Sequence, residues 1–137
     1  MSDQNIMAAF QIRLTAFASG KSVPVAYEGV PFTIDQTETH LADYLLPANT
    51  DNPSIGARQI RYTGIYQVTI DAPSDINPVT LRTLANDLVA YFPRGQTMTQ
   101  GGQTVLVTNT PSIGPLITGQ GRMTRAVSIN YQSDVFS

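Results

Sequence analysis

Along "RYTGIYQVTID", residues 61–71, two kinds of side chain alternate. Tyr62, Gly64, Tyr66, Val68 and Ile70 fall on one side, and Arg61, Thr63, Ile65, Gln67, Thr69 and Asp71 on the other, because strand side chains alternate with period two. The first set suits a core. The second is mostly polar yet neutral, with a charge at each end. At about 3.3 Å per residue the segment spans roughly 36 Å, long for a globular strand, so part of it is expected to project beyond the core. "GRMTRAVSINYQ", residues 121–132, repeats the pattern. Met123, Val127, Ile129 and Tyr131 share one side, with Arg125 as the exception, and Thr124, Ala126, Ser128, Asn130 and Gln132 share the other.

Two segments carry helical periodicity instead. Ile6, Phe10, Leu14 and Phe17 recur at helix spacing, widened by Met7 and Ala18, with Ser2 or Asp3 as cap and Gly20 as stop. In the second, Asn77 caps, Pro78 fits the first turn, and Leu81, Leu84, Ala85, Leu88, Val89 and Phe92 form an apolar stripe that ends before Pro93. "SVPVAYEGVPF" predicts a brief strand and a turn. "THLADYLLPANTDNPSIGA" begins as a strand and dissolves into a loop, and "QTMTQGGQTVLVTN" reads as a hairpin about Gly101 and Gly102. "PSIG" occurs at 53–56 and 111–114, too short for an internal repeat, and is read as two loops with the same turn chemistry.

These elements predict one α+β domain over residues 1–137. Its mixed, mainly antiparallel sheet has about five strands, two amphipathic helices pack on one face, and the long strands project. The other face is then Thr, Gln, Ser and Asn. Solvated sheets ordinarily carry more Lys and Glu, partly to discourage edge pairing. Charged residues make up 13% of the chain, against about 25% in soluble domains. A weakly charged face favours assembly with other copies over an ordinary wet surface.

Composition removes several function classes. There is no cysteine, so disulfides, thiolate metal sites and cysteine nucleophiles are excluded. The net charge is −2 and the basic residues are scattered, which argues against a dedicated nucleic-acid binder. The N-terminal segment is broken by polar residues and reads as neither signal peptide nor membrane span, which leads us to expect a cytoplasmic protein or a component of something assembled there.

Candidate chemistry is sparse. His40, the single histidine, would share a strand face with Glu38, giving an imaginable base and orienting carboxylate, but no nucleophile motif accompanies it. A structural histidine is the better reading. The ten carboxylates fall in no metal-binding spacing, "NTDN" at 49–52 reads as a turn, and "GQGR" at 119–122 opens a strand and not a phosphate-binding helix. Arg58, Arg61, Arg94, Arg122 and Arg125 remain, and four of them lie near the start of a long strand, which would gather them at one rim. Pairing with a neighbouring subunit's carboxylates, or plain solvation, suits them better than phosphate binding.

The order of segments resembles the phage tail terminator-like family. The stretches that carry the resemblance are "VAYEGVPFT" (25–33), "THLADYLLPANT" (39–50), "RYTGIYQVTIDAP" (61–73), "LANDLVAYFPRG" (84–95), "PSIGP" (111–115) and "GRMTRAVSINYQSDV" (121–135). The resemblance implies a non-enzymatic virion protein without cofactor, assembled in the host cytoplasm. Such proteins form a six-membered ring that caps the tail tube, ends its polymerisation and presents a surface to the head connector, while DNA passes through the lumen. The nearest alternative is a head-completion or connector protein of similar fold, and a more distant one a small enzyme using His40. Six spheres of roughly 36 Å diameter leave a hole of about 36 Å, whereas four leave about 15 Å, so a duplex excludes only small rings. On this reading Arg58, Arg61, Thr63, Gln67, Arg122, Thr124, Ser128 and Asn130 form subunit or axial contacts, together with the loops 49–59 and 111–121.

Overall fold

The computed structural model describes residues 3–33, 38–48 and 59–136. Helix α1 spans Asp3–Lys21 and buries Ile6, Phe10, Leu14, Phe17 and Ala18, the stripe its spacing demands. Asp3, one of the two predicted caps, already lies within the helix, and the other, Ser2, lies outside the described residues. The helix runs through Gly20. It is Ser22, at φ 56°, that takes the left-handed position, and Val23 N–H closes the end on Ala18 O at 3.0 Å.

Helix α2 spans Pro78–Tyr91, with Asn77 Oδ1 accepting from Val79 N–H at 3.0 Å. Leu81, Ala85, Leu88 and Phe92 are buried. At its far end Arg13 of α1 donates from Nε (2.9 Å) and Nη2 (2.6 Å) to Tyr91 O, with its guanidinium 4.3 Å from the Tyr91 ring centre. A cation at a helix C-terminus is favoured by the helix dipole, so this contact ties the two helices together.

The strands are β1 (Val25–Ala26), β2 (His40–Pro47), β3 (Gln59–Pro73), β4 (Thr97–Gln100), β5 (Gln103–Val107), β6 (Ser112–Ile113), β7 (Ile117–Gly119) and β8 (Arg122–Phe136). They form one sheet in the order β1-β2-β3-β8-β5-β4, with β6 and β7 also on β8. Only β1–β2 is parallel. The α+β class holds, with both helices on one face of a mostly antiparallel sheet.

Strands β2, β3, β4, β5 and β8 are the five main strands, and the brief β1 was also legible. The additional strands are β6 and β7, so the second "PSIG" is not a plain loop. After β5 leaves β8 at Tyr131, the free edge of β8 is met in turn by Thr108 N–H on Asn130 O, by β6, by Gly114 N–H on Ala126 O, and by β7. A half-buried strand does not leave its backbone groups unpaired, and these short pieces pair them. Both long strands are longer than the alternation suggested, at 15 residues each. Because β2 ends opposite Gly64, β3 does run past it. Two-residue turns with both φ values positive close the hairpins at Gly101–Gly102 and Gln120–Gly121.

The core lies between helices and sheet. Phe10 stacks on Tyr66 with ring centres 4.3 Å apart and meets Tyr131 edge-on at 5.6 Å. Asp43, fully buried on the core side of β2, accepts from Tyr66 Oη (2.7 Å), Gln11 Nε2 (3.0 Å) and Glu28 N–H (2.7 Å). It joins α1, the turn after β1, β2 and β3. Burial first, and the Asp43 carboxylate second, push the Tyr66 hydroxyl far above its ordinary pKa, so it stays a donor.

Gly64 faces the same side as Tyr66. A Cβ there would stand 2.6 Å from Leu46 O and 2.7 Å from the Tyr131 hydroxyl. The first of those contacts, and a third at 2.9 Å with Pro47 Cα, involve backbone of β2, so the strands would have to part. Gly64→Ala is expected to destabilise the fold by about 1–3 kcal/mol, read as a lowered urea midpoint. A midpoint equal to wild type would mean that β2 shifts freely here.

Candidate assembly surface

The sheet face away from the helices is met among the described residues by the turn after β1 at its His40 end, and its chemistry follows from the register. Row by row across β2, β3 and β8 it carries His40, Asp71 and Thr124; Ala42, Thr69 and Ala126; Tyr44, Gln67 and Ser128; Leu46, Ile65 and Asn130. Beyond the end of β2 the rows continue as Thr63 with Gln132, and Arg61 with Asp134. Period-two alternation predicts this polar set, because the residues between them are the buried ones.

The charges at the ends are neutralised within the chain. Arg61 Nε donates to Asp134 Oδ1 at 2.9 Å, and Arg122 Nε to Asp71 Oδ1 at 3.0 Å. Arg122 also donates to Glu38 O at 3.2 Å. Such pairs add little stability where solvent reaches them. Their effect is to leave the centre of the face without charge.

The predicted contact residues are placed as follows. Arg58 and the loop 49–58 lie outside the described residues, as do "NTDN" and the first "PSIG". Arg61, Thr63 and Gln67 lie on β3, and Arg122, Thr124, Ser128 and Asn130 on β8, all on the open face. Gln67 and Ser128 are direct cross-strand partners. The arginines do not gather at one rim. Strands β3 and β8 are antiparallel, so their starting arginines sit at opposite ends, and Arg125 points to the helix side, where it donates to Gly114 O at 2.9 Å. The segment 111–121, expected as a contact loop, pairs with β8 over part of its length.

Sequence reading missed the apolar part of this face. Tyr44 and Leu46 are 45% and 48% exposed, and Ile65 lies beside Leu46. The alternation in "HLADYLLP" held the signal, since it sets Tyr44 and Leu46 opposite Leu41, Asp43 and Leu45. The same alternation puts Asp43 in the core.

His40 sits at the end of the face, 5% exposed, with its ring 5.2 Å from that of Phe32. Its carboxylate neighbour is Asp71, at 3.6 Å from Nε2, and not Glu38; Arg122 lies 3.5 Å from Nδ1. Both ring nitrogens thus face groups already engaged with each other, a setting that suits packing better than proton transfer to a substrate. A cavity of about 480 Å³ borders it, walled by the turn after β1 and by Ala42, Tyr44, Thr69 and Thr124. Among the described residues, no cluster of three or more His, Asp or Glu side chains could hold a metal ion, and no helix is long and apolar enough to cross a membrane.

The described residues thus form an α+β domain whose sheet face is neutral at its centre. Comparison gives it a family: the phage tail terminator protein family matches residues 5–131, and the chain belongs to that family, as a structural component of a phage tail. Among the solved structures it matches, one is similar at 30% identity and a TM-score of 0.83, over 100% of this chain and 99% of the other. No curated protein matches.

Burial lowers the pKa of His40 most strongly; Asp71 opposes this and Arg122 adds to it. The unfolded chain therefore takes up a proton near pH 6.5 that the folded chain binds only at lower pH. Stability from this source is complete above pH 6.5 and declines as pH falls below it. Thermal melts across that range should show His40→Gln losing less stability on acidification than wild type. Parallel curves would remove His40 as the cause.

Proposed function

We propose that copies of this chain close into a ring, six to a ring, that caps the tail tube, stops its polymerisation and presents a surface for head joining. The observation that supports this reading best is the open face of two 15-residue strands with its end charges paired inside the chain. A neutral face of Thr, Gln, Ser and Asn loses little on being desolvated against hydrogen-bonding partners. Where such a face meets the lumen, it lets DNA slide past without a row of cations to hold it. The partners on this reading are other copies, the tail tube protein and the head connector. Assembly takes place in the host cytoplasm, and Thr63, Gln67, Thr124, Ser128 and Asn130 lie at subunit or axial contacts, flanked by Arg61 and Arg122. Arg58, in the undescribed loop, belongs to the same proposal.

Electron microscopy of lysates from a phage lacking this gene tests the function. Overlong or irregular tails beside unattached filled heads are expected. Tails of normal length with heads that fail to join would move the protein to the head side of the neck, and normal virions would refute both roles. For the surface, Thr63→Glu combined with Ser128→Glu is expected to leave the melting profile of the monomer close to wild type and to abolish its assembly into rings. Rings formed at wild-type yield would refute the role of the face.

A further inference from the structure

We propose that the open edge of β4 in one copy adds in parallel to the open edge of β2 in the next, so that neighbouring sheets continue as one. This rests on the ring reading above and names the contact that closes it.

The backbone phase at each edge is fixed by hydrogen bonds. Ala48 N–H bonds Thr63 O at 2.8 Å, so Tyr44 and Leu46, in phase with Ala48, direct their backbone groups at β3 while Leu45 and Pro47 direct theirs outward. Leu41, in phase with Leu45, does bond outward, to Pro24 O at 2.9 Å. Strand β1 covers only Leu41 and Ala42, so no strand among the described residues pairs with the outer side of 44–47. At the other edge Val107 N–H bonds Gln96 O at 2.9 Å, so Met98 and Gln100 face β5 and Thr97 and Thr99 face away. Both edges are uncharged, whereas edge strands ordinarily carry Lys or other charge against such pairing.

Direction and facing identify the occupant as a second copy. Successive antiparallel pairings make β2, β8 and β4 run the same way. A copy related by rotation about a ring axis therefore brings its β4 beside β2 in parallel. In a parallel pair, a residue whose backbone faces the partner sits beside one whose backbone faces away, and the two share a side of the sheet. Aligning 44–47 with 97–100 sets Leu45 beside Met98 on the helix side, and Tyr44 beside Thr97 and Leu46 beside Thr99 on the open side. All helices then stay on one side of the joined sheet. An antiparallel join of the same two edges would turn one sheet over.

Two hydrogen bonds follow from the accessible part of the edge: Leu45 N–H to Thr97 O, and Thr99 N–H to Leu45 O. Gln96 Nε2 already donates to Thr97 O at 2.9 Å, and a carbonyl accepts two such bonds. Pro47, the one residue that blunts this edge, falls on the last rung, where its missing N–H costs a single bond. The contact also covers Tyr44 and Leu46.

The chain has no cysteine, which makes cross-linking a direct test. Leu46→Cys combined with Thr99→Cys, oxidised under conditions in which wild type assembles with tail tubes, should give a ladder of covalent multimers on non-reducing gels. Either cysteine alone should give no ladder, since at most two chains join. Thr99→Pro, which removes an N–H the fold itself does not use, should melt like wild type yet lose assembly at least ~10-fold by light scattering. Wild-type rings without a cross-linked ladder, formed equally well by Thr99→Pro, would overturn the edge pairing and leave the ring reading intact. A wild-type chain that stays monomeric with and without tubes would overturn the ring reading itself, and the edge pairing with it.

Discussion

Fifteen successive partner pairs between β3 and β8, from Gln59 with Phe136 to Pro73 with Arg122, are the constraint on which the molecule is built. A one-residue slip of either strand would exchange its two faces relative to the other. Tyr66, Val68 and Ile70, or else Val127, Ile129 and Tyr131, would then meet water, and the polar residues of that strand would meet the helices. The register is held by the burial of those six side chains, by Gly64 leaving room for the Tyr131 hydroxyl, and by Phe10 stacked on Tyr66. The antiparallel sense of the same ladder sends the arginines at the two strand starts to opposite ends. There each meets a carboxylate near the end of the other strand, Arg61 with Asp134 and Arg122 with Asp71.

From that ladder the two sides of the sheet acquire different work. On the helix side, two polar groups tie elements together: Asp43 gathers three donors from three other elements, and Arg13 caps the end of α2. On the other side, charge is confined to the ends and cancelled there. The uncharged centre and the uncharged strand edges are unusual for a sheet that is meant only to be wetted, and family membership in a phage tail gives that absence of charge a reason.

The surroundings of His40, the single histidine, are those of a packed side chain. His40 had the composition of a candidate base, but an active base needs an accessible nitrogen and a carboxylate free to orient it. Asp71 is shared with Arg122, and the ring is packed against Phe32.

The sequence by itself determined both helices, the five main strands, the sidedness of the two long ones and the neutrality of the open face. Each depends on local periodicity, which is written into consecutive residues. It also placed most of the candidate surface, since Thr63, Gln67, Thr124, Ser128 and Asn130 are the out-of-phase members of buried strands. Only the tertiary structure decided that Asp71 and Asp134 neutralise Arg122 and Arg61, that Asp71 and not Glu38 stands by His40, and that 112–119 completes the edge of β8. It alone decided, too, that Tyr44 and Leu46 join Ile65 in one patch. These are relations between residues many positions apart, fixed by strand order and register, and periodicity along the chain carries no information about which strands become neighbours.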